Sequence, residues 1–122
     1  MNQPDQAQWT TIGRRSDLIP GAGVGARYGD RQIAIFWLPE LYDLIFAVDN
    51  YCPVSGVNII ARGIVGDVEG EPVVASPLYK KHFSLEDGRC LELPEHRLDT
   101  YAVRLNGDEV QVAPRTDAHM AA

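Results

Sequence analysis

The chain has 122 residues, enough for one domain and too few for two of ordinary size. An apolar share of 45% is ordinary for a globular domain, and eleven glycines with eight prolines favour frequent turns over long helices. Eleven basic against seventeen acidic residues leave a net charge of −6, which repels a phosphate backbone, so no nucleic-acid partner is expected.

The first residues, MNQPDQAQW, lack a basic stretch followed by an apolar one, so no secretory leader is read there and a cytoplasmic location is expected. Trp9 to Ile12 mixes aromatic and β-branched residues and predicts a first strand. After a turn rich in proline and glycine from Asp17, Val24 to Tyr28 and Arg31 to Leu38 predict a hairpin joined at Gly29-Asp30. The most apolar region, Ile33 to Val48, is broken by Pro39, Glu40 and Asp43. Its unbroken runs are far below the ~20 residues of a membrane helix. It predicts two strands joined through Pro39-Glu-Leu-Tyr, the second being Leu44 to Val48, and no membrane association.

Glu69-Gly-Glu-Pro predicts a turn, Val73 to Ser76 a short buried strand, and His82-Phe-Ser-Leu another. Asp87-Gly88 predicts a hairpin into Arg89-Cys-Leu, and Asn106-Gly107-Asp108 one between Thr100 to Leu105 and Glu109 to Val112. About nine short strands with turns between them suit an all-β sandwich or small barrel spanning residues 1–113. The tail, residues 114–122, lacks periodicity and is expected to be mobile.

Two stretches carry the functional reading: Asp49 to Gly56, DNYCPVSG, and Ser76 to Leu85, SPLYKKHFSL. Each follows an apolar run and turns on a proline. Together they resemble the paired cluster-binding loops of Rieske iron–sulfur proteins, implying an all-β Rieske-like fold with a two-loop cluster-binding-like subdomain. On that resemblance Cys52 takes the first cysteine position and Val54 the first histidine position. Ser76 takes the second cysteine position and Tyr79 the second histidine position. A Rieske centre needs two thiolates and two imidazoles, and valine, serine and tyrosine are no substitutes for them. No cofactor and no metal are therefore expected in this chain.

The segments FAVDNYCPVSGVNII, from Phe46, and RGIVGDVEGEPVVASPLYKKHFSLEDGRCLE, from Arg62, are more specific. They resemble the small subunits of assimilatory NAD(P)H-dependent nitrite reductases. The resemblance implies a non-catalytic accessory subunit beside a large subunit that holds FAD, sirohaem and a four-iron four-sulfur cluster and reduces nitrite to ammonia. The alternative is a Rieske-type two-iron two-sulfur ferredoxin acting as an electron carrier.

Other residues have plainer readings. In a reducing compartment Cys52 and Cys90 read as free thiols, small side chains tucked under a loop and in a strand. The carboxylates Asp49, Asp67, Glu69, Glu71, Glu86 and Asp87 read as solvated turn residues. Gly21-Ala-Gly-Val-Gly superficially matches a dinucleotide fingerprint, but a strand and not a helix follows. There is no nucleophile elbow and no His-Glu-x-x-His, so no catalytic residue is assigned. Tyr79, Lys80, Lys81 and His82 form a compact basic and aromatic cluster. With Tyr51, Pro53 and Ser55 of the first loop they are the candidate contacts for a large subunit.

Overall fold

The computed structural model of the chain describes residues 8–39 and 44–115. Eleven strands form three antiparallel sheets. The largest has six strands: β1 (Thr10–Arg14), β2 (Gly23–Tyr28), β3 (Arg31–Leu38), β4 (Leu44–Asp49), β10 (Thr100–Asn106) and β11 (Glu109–Pro114). Their order is β1-β11-β10-β4-β3-β2, and the two outer strands meet, so the sheet nearly closes into a barrel. A small subdomain is inserted between β4 and β10. It holds a two-stranded ladder of β5 (Tyr51–Cys52) with β6 (Val57–Asn58). Beside this lies a three-stranded sheet of β7 (Ile64–Val68), β8 (Glu71–Ala75) and β9 (His82–Ser84).

The apolar run of β3 is continuous because both of its faces are buried. Ile33 and Ile35 point into the barrel with Ala47, Tyr101, Val110 and Val112. Ala34, Phe36 and Leu38 face the other way, onto Val48, Cys52, Ile60, Val74, Phe83, Leu85 and Leu98. This second core glues the subdomain to the barrel wall, and each large side chain fully buried in it contributes about 1.5–3 kcal/mol.

The predicted hairpins at Gly29-Asp30 and Gly107-Asp108 form with Tyr28 opposite Arg31 and Asn106 opposite Glu109. The turn predicted at Glu69 is a two-residue hairpin between Val68 and Glu71. Glu69 and Gly70 both have positive φ, 52° and 88°, as a type I′ turn demands.

Two expectations need correction, the bounds of the first strand and the number of strands among the described residues. The first strand is shifted to Thr10–Arg14 and bulges between Thr11 and Gly13. There are eleven strands and not nine, chiefly because the first loop carries the short β5–β6 ladder of its own. Asp87-Gly88 turns the chain back as expected: the Gly88 N–H donates to the Ser84 carbonyl and the Ser84 N–H to the Arg89 carbonyl, both at 2.9 Å, and the Leu91 N–H donates to the His82 carbonyl at 2.8 Å, around a bridge of Phe83 to Cys90. The Gly88 carbonyl then accepts the Leu98 N–H at 2.8 Å. Strand β11 ends at Pro114, and most of the expected tail, residues 116–122, and residues 40–43 of the predicted Pro39-Glu-Leu-Tyr link lie outside the described residues.

Candidate functional site

The first loop is anchored by Asn50, a buried residue between β4 and β5. Its side-chain Oδ1 accepts the Ala61 N–H at 2.7 Å, and its Nδ2 donates to Gln32 Oε1 at 3.3 Å. Its backbone carbonyl accepts the N–H groups of Ile59 and Ile60, at 2.8 and 3.0 Å, and its own N–H donates to the Gln32 carbonyl at 3.0 Å. One side chain thus ties both ends of the loop to β3. An amide serves here because it offers an acceptor and a donor at once. Asp49 steadies the same base: Tyr101 donates to it at 2.6 Å, and Arg31 bridges Asp49 and Asp99 at 3.3 and 3.1 Å. Burial and the Asp49 bond push the Tyr101 phenol well above its ordinary range, so it stays a donor.

Beyond Asn50, Cys52 is fully buried and belongs to the second core, with Val54 packed against it. The Ser55 N–H donates to Cys52 Sγ at 3.4 Å, and the Gly56 N–H closes the turn on the Cys52 carbonyl at 2.7 Å. Across from it, the Ser76 N–H donates to the Lys81 carbonyl at 2.9 Å and closes the second loop. The hydroxyls of Ser55 and Ser76 are both buried without a hydrogen-bond partner. They lie beside the Cys52 sulfur and favour its thiolate, yet fall short of hydrogen-bonding geometry. Burial pushes the Cys52 thiol up, but these hydroxyls and the Ser55 N–H together outweigh it and hold the thiol below its ordinary value. Burial keeps Cys90 above its own.

The two loops therefore meet at positions 52 and 76, as their motifs imply. The contact candidates divide. Tyr51, Tyr79 and Lys80 are exposed, whereas Pro53, Ser55, Lys81 and His82 are partly buried. His82 is a strand residue of β9: its N–H donates to Glu92 at 2.8 Å and its Nδ1 meets the same carboxylate at 2.6 Å. The readings of three carboxylates change. Glu71 and Asp87 are not merely solvated turn residues, since both pair with Arg89, at 3.0 and 2.7 Å, and Asp49 ends strand β4 with its carboxylate on Tyr101 and Arg31. Asn50 was not singled out by any motif; an asparagine at the end of an apolar strand, directly before the loop, was the available signal.

Residues 8–113 match the Rieske-like [2Fe-2S] domain family. The nitrite reductase (NADH) small subunit of Escherichia coli strain K12 is 38% identical over 106 residues, covering 87% of this chain and 97% of that protein. The chain belongs to the Rieske-like family of nitrite reductase small subunits. The solution structure of the E. coli protein NirD superposes with a TM-score of 0.77 at 37% identity, covering 86% of this chain and 94% of that one. A nitrite reductase [NAD(P)H] large subunit from Klebsiella oxytoca is 43% identical over 97 residues, 79% of this chain. The chain spans only 10% of that relative's length.

The Rieske-like family is named for a two-iron cluster, and the residues at the four ligand positions do not fit one. Cys52 alone supplies a soft donor; Val54 has no lone pair, Ser76 presents a hydroxyl, and Tyr79 stands on an exposed turn. Among the described residues no group of three or more His, Cys, Asp or Glu side chains could hold a metal ion. Nor, among them, is any helix long and apolar enough to cross a membrane.

Proposed function

We propose that the chain is the non-catalytic small subunit of an NAD(P)H nitrite reductase, paired with a large subunit and carrying no iron–sulfur cluster of its own. The observation that carries this reading is the ligand pocket itself. The two loops meet at positions 52 and 76; Cys52 is fully buried in the second core, Val54 is packed against that core, and Tyr79 stands in solvent. With one soft donor among the four positions, the loops serve as structure, and their outer surface is free to serve as an interface. The contact face is made of Tyr51, Pro53 and Ser55 from one loop and Tyr79, Lys80, Lys81 and His82 from the other.

On this reading the redox centres that the resemblance implies, FAD, sirohaem and a four-iron four-sulfur cluster, reside in the large subunit. The Klebsiella relative, a large subunit containing a segment similar to this chain, supports the pairing. Two free, buried cysteines suit a cytoplasmic complex.

Co-expression with the large subunit, size exclusion, and nitrite-dependent NAD(P)H oxidation test the proposal. A stable complex whose activity falls when this chain is omitted is expected. Stoichiometric iron and labile sulfide in the anaerobically purified small chain would overturn it in favour of an electron-carrying ferredoxin.

A further inference from the structure

Among the described residues, three that are not glycine have positive φ: Glu69, Tyr79 and Lys80. Glu69 is accounted for by its hairpin turn. Tyr79 and Lys80, at 68° and 52°, are two successive residues with side chains in a backbone region that a Cβ disfavours. A glycine at either place would adopt it freely. The loop is held in this shape by the Ser76–Lys81 backbone bond at its neck.

Beyond that backbone closure, neither side chain gains a partner among the described residues. Tyr79 is 68% exposed and Leu78 43%, and neither Tyr79 nor Lys80 has a hydrogen bond, ion pair or ring partner among the described residues. Backbone strain that gives neither side chain an internal contact, and instead holds an aromatic ring in solvent, suits a preformed binding element.

We propose that Leu78–Lys80 is a rigid finger whose Tyr79 ring enters an apolar pocket with an acidic rim on the nitrite reductase large subunit. This rests on the subunit reading above. Tyrosine is among the residues that most often anchor an interface, since it brings a large rigid surface with little rotamer entropy. The rim is acidic because Lys80 and Lys81 place two positive charges together on a chain of net charge −6. The same net charge disfavours a second copy of this chain as the occupant. The Klebsiella large subunit carries a segment like this chain in the same polypeptide as the rest of the large subunit.

The test measures affinity for the purified large subunit together with the melting temperature of the free small subunit. Tyr79→Ala and Tyr79→Gly should each weaken binding at least about tenfold, as loss of an anchor does. Tyr79→Phe should retain it. Tyr79→Gly and Lys80→Gly should melt a few degrees higher than the wild type, because the backbone strain is relieved. Wild-type affinity in Tyr79→Ala would overturn the finger and leave the subunit reading intact. So would a concentration-dependent dimer of the free chain that Tyr79→Ala abolishes, since the occupant would then be a second copy. A fall in melting temperature in both glycine variants would overturn the strain argument. Failure of the wild-type chain to bind the large subunit would instead overturn the subunit reading itself.

Discussion

Replacing Asn50 by alanine tests whether one amide organises the first loop. The substitution leaves the Asn50 backbone bonds in place but removes the acceptor of the Ala61 N–H, 2.7 Å away, and the donor to Gln32. A part-buried N–H left without an acceptor costs about 1–3 kcal/mol; the long Gln32 bond adds little. We expect a loss of about 2 kcal/mol. For a chain of this size each kcal/mol moves the midpoint by roughly 3–5 °C, so the melting temperature should fall by about 6–10 °C. Urea unfolding should show a lower midpoint at unchanged slope. Amide exchange supplies the local check: the Ala61 N–H should lose more protection than the β11 amides, which should fall only by the global loss of stability. A variant within about 0.5 kcal/mol of wild type, with Ala61 still protected, would refute the reasoning.

Three further substitutions have expected outcomes. Ser76→Ala removes a buried hydroxyl that has no partner, so stability should equal or exceed wild type by up to about 1 kcal/mol. The same change should move the Cys52 titration, read from thiolate absorbance, to higher pH, because a group favouring the thiolate is lost. Gly88→Ala should destabilise by about 3 kcal/mol or more in denaturant unfolding: φ is +82° there, and a Cβ would lie 2.0 Å from the Leu98 carbonyl oxygen. Burial raises the Glu92 carboxyl, but the hydrogen bonds from His82 outweigh it and hold the group below its ordinary value. Its contribution is therefore present above the unfolded value, about pH 4.3, and lost as pH falls through the lower folded one. The melting gap between wild type and Glu92→Gln should be open near neutral pH and close in acid; a gap that widens in acid would contradict the sign.

The legible parts of the fold are those with local causes. Gly29-Asp30, Glu69-Gly70 and Gly107-Asp108 set two-residue hairpins through turn chemistry that needs no distant partner. Asp87-Gly88 likewise turns β9 back onto Arg89 to Leu91, with the Ser84 N–H on the Arg89 carbonyl and the Leu91 N–H on the His82 carbonyl. At the site, loop spacing pointed to positions 52 and 76, which the fold brings together, and to Tyr79, which it leaves in solvent. It did not separate exposed Lys80 from partly buried Lys81 and His82, a division made by the pairing of β9 with β8. It was silent on Asn50, whose partners lie 11 and 18 residues away.

What the order of residues determined by itself was the strand class, the hairpin positions and the identity of the donors at the four ligand positions, because each depends on side-chain chemistry or on neighbours a few bonds apart. Tertiary structure alone decided that β1 pairs with β11 and β4 with β10. It also decided that both faces of β3 are buried and that the Cys52 sulfur lies among two unpaired hydroxyls. Those arrangements come from bringing distant segments onto a shared core. The free energy for that is spread over many apolar contacts, none of which carries a local signature.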